Sequence, residues 1–201
     1  MNAHGQGAGH SRDSSLNLTR DLPMTRTQTF LSVLFAIPAA LTAQGGTATS
    51  PADPGLAALR DNWKPVIENI TKAAEELSEA DYAYKPVASV RTFGELIGHI
   101  AGSQNLMCAG ALGETQPAED AVEKAAKTKA DLVKALKEST AYCNKAYAIT
   151  PAAAAGTVQL FGQTMTRYGA LALNAVHDGE HYGNIVTYMR MKGMVPPSSR
   201  R

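Results

Sequence analysis

HDGEHYGNIVTYMRMKGMVPPSS, residues 177–199, closes a long helical pattern, and how it is read decides the fold. The pattern begins near Thr166 and runs to about Lys192; Gly193 suits a C-cap, and Pro196-Pro197 bars continuation. His177 and His181 stand four apart, so in a helix they lie one turn above each other on one face. Asn174, Asn184 and Tyr188 extend that polar line, while the opposite side carries Val176, Gly179, Gly183 and Val186. A glycine inside a helix costs about 1 kcal/mol against alanine. Gly179 and Gly183 are therefore expected to let a neighbouring helix approach closely.

Three further helical patterns precede this one. The first carries Leu56, Leu59, Trp63, Val66, Ile70, Ala73 and Leu77 at spacings of three and four, and Pro65 within it predicts a kink or a fresh helix start. Residues 81–91, marked by Pro86, form a connection. The second helix is expected from Thr92, an N-cap with Glu95 three residues on, through Leu96, His99, Ser103 and Leu106 toward Gly113. A third begins near Glu119, with Val122, Ala126, Leu132, Leu136, Cys143 and Tyr147 on one side and Lys124, Lys127, Lys134 and Lys137 on a solvated one. Pro151 to Thr164, containing Gly156 and Gly162, reads as a long connection, and no stretch alternates convincingly as a strand. Four long amphipathic helices with few aromatics predict an all-α chain folded as a four-helix bundle.

The bundle domain is expected over residues 55–201, after a Pro/Gly linker at 44–54. Residues 1–23 are polar and without period, which predicts a disordered extension or an upstream start. From Met24 the chain changes character. A short basic start, the apolar run Phe30–Leu41 and the small residues up to Ala43 describe a signal peptide over 24–43, cleaved near Ala43. That predicts a periplasmic or secreted protein with no membrane attachment after cleavage. The formal charge is +1, which gives no electrostatic case for nucleic acid. Cys108 and Cys143 could pair in an exported protein; buried free thiols are the alternative.

All histidines beyond residue 43 fall where a bundle interior can collect them: His99, mid-helix on an apolar pattern, and the His177/His181 pair. Three neutral imidazoles offer the nitrogen donors that zinc, nickel, iron or manganese accept, and three protein ligands leave positions open for water or substrate. Asn184, Asn174, Tyr188 and Glu95 are candidates for supporting or substrate contacts. The zinc-protease motif H-E-x-x-H does not fit, because Asp178 follows the first histidine and Glu180 lies on the wrong side.

The carboxy-terminal stretch quoted above, with its paired H-x-x-x-H and trailing R-x-x-G-x-x-P-P, resembles the corresponding end of the DinB-like superfamily. YAYKPVASVRTFGELIGHIAGSQ, residues 82–104, resembles that family's entry into its second helix. The family includes YfiT-type metal-dependent hydrolases and thiol-dependent S-transferases. The resemblance implies an up-down-down-up four-helix bundle, a divalent metal on His99, His177 and His181, and a homodimer. It further implies a small-molecule substrate attacked by activated water or by a low-molecular-weight thiol. A non-enzymatic bundle that binds or senses a metal is the alternative, and a metal-free bundle with hydrogen-bonded histidines is a third reading.

Overall fold

The computed structural model describes residues 53–200. The expected extension at 1–23, the signal peptide at 24–43 and the linker residues before Asp53 lie outside the described residues. Six α-helices and one hairpin follow in order: α1 (Pro54–Glu76), α2 (Phe93–Leu112), α3 (Ala121–Ala125), α4 (Lys129–Ala146), α5 (Pro151–Ala155), β1 (Thr157–Leu160), β2 (Gln163–Thr166) and α6 (Arg167–Met191). Short 3₁₀ turns at Glu79–Ala83 and Pro197–Ser199 complete the described chain. The four long helices form the bundle, and no helix among the described residues is long and apolar enough to cross a membrane.

Local chemistry explains the boundaries. Asp53 caps α1 by accepting from the backbone N–H of Gly55 at 2.7 Å and of Leu56 at 3.2 Å, with Pro54 at the first helical position. The helix passes through Pro65 unbroken, so of the two expectations, a kink or a fresh helix start, the fresh start fails. Pro65 and Asp61, whose carbonyl loses its partner there, both face solvent, where water can satisfy it. Thr92 and Glu95 form the expected capping box at α2, and Gly113, at φ 78°, ends it in the left-handed conformation.

Two expectations fail between α2 and α6. The third pattern is broken into α3 and α4, because Thr128 starts a helix of its own with a capping box to Asp131. The connection at 151–164 holds a helix turn and a β-hairpin instead of irregular chain. Val158 pairs with Met165 and Leu160 with Gln163, and the two-residue loop Phe161-Gly162 takes φ 51° and 75°. Positive φ at both positions belongs to the tight primed turns whose twist suits a hairpin.

Helix α2 is central. It packs strongly against α4 and α6, while α1 packs against the same two, so α1 and α2 occupy opposite corners. Its buried residues run from Phe93 to Ala111 on every side of the helix, as a helix apolar all round should. Trp63, Ile67 and Ile70 from α1, Leu136 and Cys143 from α4, and Leu171, Ile185 and Met189 from α6 close the core around it. Cys108 and Cys143 form a disulfide between α2 and α4, with Cα atoms 5.3 Å apart, which decides between the two readings of these cysteines.

Candidate metal centre

The packing of α2 against α6 brings His99 to His177 and His181. His177 Nε2 lies 3.1 Å from His99 Nε2 and 3.0 Å from His181 Nε2. Two nitrogens at about 2.0–2.1 Å from one zinc ion, subtending about 90–110°, are about 2.9–3.4 Å apart. The observed spacings fall within that range.

Hydrogen bonding alone serves the cluster poorly. A ring nitrogen carries either a proton or one in-plane lone pair, and His177 Nε2 takes part in both short contacts. One cation could accept all of the converging lone pairs together. At His99 and His181 the rings are neutral at neutral pH, so each has one nitrogen lone pair to offer. Burial first, and then the nearby positive Arg91, push the His99 imidazole down to about 4. Burial first, then His177, push His181 down to about 4 as well.

The outer ring nitrogens face three different groups. His99 Nδ1 lies 4.0 Å from Glu123 Oε2, His177 Nδ1 3.8 Å from Asp178 Oδ1, and the Asn184 amide 3.2 Å from His181 Nδ1. Metal-binding histidines almost always have such a partner behind them. Glu123 is itself held by Arg91 Nε, which donates at 3.1 Å. Two carboxylates and the Asn184 amide thus stand behind rings whose inner nitrogens converge.

The remaining sequence candidates separate. Asn184 is exposed and touches His181, as its position one turn beyond suggests. Asn174 is fully buried, donating to Tyr147 Oη at 3.1 Å and to Asp178 Oδ2 at 3.4 Å, so it lies one layer behind the cluster. The Tyr188 hydroxyl donates to the Arg91 carbonyl at 2.8 Å and pins the loop before α2. Glu95 Oε2 accepts from Thr92 N at 2.7 Å, which holds its carboxyl below the usual range. Sequence reasoning missed Glu123 and Arg91, and it considered Asp178 only as a misfit protease base. The available signal was that Asp178 falls in step with Leu171, Asn174 and Ile185, the buried stripe of α6.

Gly179 and Gly183 do not bring another helix close; a Cβ at either would meet nothing within 4 Å. The close approach occurs on α2, where a Cβ at Gly98 would lie 2.9 Å from Glu123 Cα and one at Gly102 only 1.9 Å from the Glu119 carbonyl oxygen. These glycines flank His99 and seat the Glu119–Glu123 backbone against it.

A cleft of about 630 Å³ opens beside the cluster, with His181, Asn184, Tyr188, Arg91 and Glu95 among its lining residues. Its walls are about evenly polar and apolar, with Pro86, Val90 and Leu96 on the apolar side.

The sequence profile of the DinB superfamily matches residues 62–185. Among solved structures, a DinB-like protein from Bacillus cereus ATCC 10987 is 15% identical, aligns over 70% of this chain and 95% of its own, and gives a TM-score of 0.61. A DinB-like protein, YjoA, from Bacillus subtilis is 20% identical over 72% of this chain and 99% of its own, with a TM-score of 0.52. The mycothiol-dependent maleylpyruvate isomerase is 17% identical over 65% of this chain and 60% of its own, with a TM-score of 0.55. Identities this low speak for the fold alone. No curated protein matches this chain in sequence.

Proposed function

This chain belongs to the DinB superfamily, and we propose that it is an exported metalloenzyme holding one divalent cation on His99, His177 and His181. Its substrate is a small electrophile, and its nucleophile is water or a low-molecular-weight thiol. The observation that carries this reading is the convergence of the three Nε2 atoms beside an open cleft. A divalent ion at such a site acidifies water or a thiol and polarises a carbonyl. The residues of the chain supply the rest. His99 and His181 present neutral rings, and Glu123, Asp178 and Asn184 stand behind the ligands. Arg91 engages Glu123 through Nε and has terminal nitrogens available for an acidic group of the substrate. The apolar wall of Pro86, Val90 and Leu96 can shelter an uncharged portion.

Two further observations support parts of the proposal. A buried disulfide suits an oxidising compartment and so favours export. The fold shared with a mycothiol-dependent isomerase makes a thiol the first co-substrate to try beside water.

The test is metal content. The untagged protein should carry one divalent ion per chain by mass spectrometry, and His177→Ala should lose it. The loaded protein should then hydrolyse esters or add a thiol to electrophiles at a rate that the variant does not reach. A protein that takes up no zinc, nickel, iron or manganese has no metal-dependent activity, and the reading fails. Stoichiometric metal without turnover on any such substrate would favour a binding or sensing protein.

A further inference from the structure

Asp178 is fully buried on the core stripe of α6, a place where an acid needs compensation. Its Oδ2 has that compensation. Trp63 Nε1 donates to it at 2.7 Å, Gln104 Nε2 at 2.9 Å and Asn174 Nδ2 at 3.4 Å. These donors are themselves fixed. Trp63 stacks on Tyr147 with ring centroids 4.3 Å apart, and the Gln104 carbonyl accepts from Ser139 Oγ at 2.7 Å. The carboxyl plane is therefore held from one side by α1, α2 and α6 together.

The other oxygen is different. Asp178 Oδ1 and His177 Nδ1 are both buried, both lack a hydrogen-bond partner, and lie 3.8 Å from each other. Buried polar atoms without partners are uncommon, and each asks for an explanation. Here they form a matched pair, one acceptor and one ring nitrogen, separated by less than 1 Å beyond a normal hydrogen bond of about 2.7–3.2 Å.

We infer that Asp178 is a positioning residue: its Oδ1 accepts the Nδ1 proton of His177 and thereby keeps the His177 Nε2 lone pair facing His99 and His181. In this role Asp178 is neither a ligand nor a base, since its oxygens address the far side of the ring. The inference borrows its purpose from the proposed metal site, yet the tautomer itself is a property of the metal-free protein.

Asp178→Asn is the discriminating variant because it preserves shape and reverses one group. Its amide oxygen, the only acceptor, must occupy the Oδ2 place to receive Trp63 and Gln104. The amide nitrogen then replaces Oδ1 and presents an N–H to His177 Nδ1. That nitrogen must become the acceptor, and the ring proton moves to Nε2.

Long-range proton–nitrogen NMR of the chelator-treated protein reads the tautomer directly. The wild type should show His177 protonated on Nδ1, and the variant should show it on Nε2. Zinc affinity, measured by competition with a chromophoric chelator, should fall about 10- to 100-fold in the variant. Emission from Trp63, the single tryptophan, should be unchanged, because its bond to residue 178 survives. A purely structural role would move the melting temperature and leave the tautomer alone.

An Nε2 proton on His177 in the wild type overturns the inference, and that reading needs no variant to fold. An unchanged tautomer and affinity in a folded Asp178→Asn protein overturns it too. A tautomer that switches in a protein that binds no zinc would uphold the role of Asp178 and sink the metal site.

Discussion

Burial makes His99 and His181 reluctant to accept protons, holding both imidazoles at about 4 in the folded chain. In the unfolded chain an imidazole titrates near 6.5, at about its ordinary value. Above that pH both states are neutral at these positions and nothing is lost. As the pH falls from about 6.5 toward 4, the unfolded chain takes up protons that the fold refuses, so the fold loses stability across that window. The melting temperature of chelator-treated protein should therefore drop between pH 7 and pH 4.5, and His99→Gln should flatten part of the slope. Scanning calorimetry at a series of pH values measures both; parallel slopes for the two proteins would mean that His99 titrates normally. The histidines themselves were legible in the sequence because helical spacing and scarcity single them out. Asp178 was in view beside them but not legible as a partner. Its significance lies in Trp63 and Gln104, which reach it from α1 and α2, and no local spacing announces contacts so distant along the chain.

Between elements, glycine earns its place only where another backbone arrives. Sequence spacing singled out Gly179 and Gly183 because both interrupt a helix, yet their side of α6 is open to solvent. Gly98 and Gly102 escaped notice in an apolar helix, and they are the ones in contact. The two pairs should respond to alanine with opposite signs. Gly102→Ala places a Cβ 1.9 Å from a backbone oxygen of Glu119, so the 119–123 segment must move. Overpacking of this kind costs about 1–3 kcal/mol, and the shift carries Glu123 away from His99. Gly183→Ala meets nothing within 4 Å and should gain about 0.5–1 kcal/mol from helix propensity. Urea unfolding midpoints of the two variants test the contrast: a loss in both would mean that the solvent-side reading of Gly183 is wrong, and a gain in both that the Glu119 backbone does not constrain Gly102. The hairpin and the break between α3 and α4 were missed for a related reason. Four-residue strands are too short to display alternation, and Phe161-Gly162 is not the Asn-Gly or Asp-Gly pair that marks such turns.

Across the whole molecule, the four-helix bundle followed from periodicity, but the corner each helix occupies did not. Hydrophobic stripes say that α1 and α2 have a buried side; they do not say that both pack between α4 and α6. The disulfide acts at this scale. It ties the central helix α2 to α4 across a sequence separation of 35 residues, a loop whose closure in the unfolded chain is worth about 4 kcal/mol on the chain-entropy account. Cys108→Ala/Cys143→Ala should therefore lower the melting temperature by on the order of 10 °C for a domain of this size. The same variant should not lose its metal. The ligands come from α2 and α6, whose mutual packing does not pass through α4, and Glu123 reaches His99 from α3. Calorimetry and metal analysis of one preparation therefore separate two roles of α2. A large thermal loss with zinc retained makes the cross-link a staple of the bundle alone. Loss of zinc in a protein that is still folded at the assay temperature would mean that the α2–α4 tie also sets the position of His99, and the metal centre would then depend on the oxidised state of the chain.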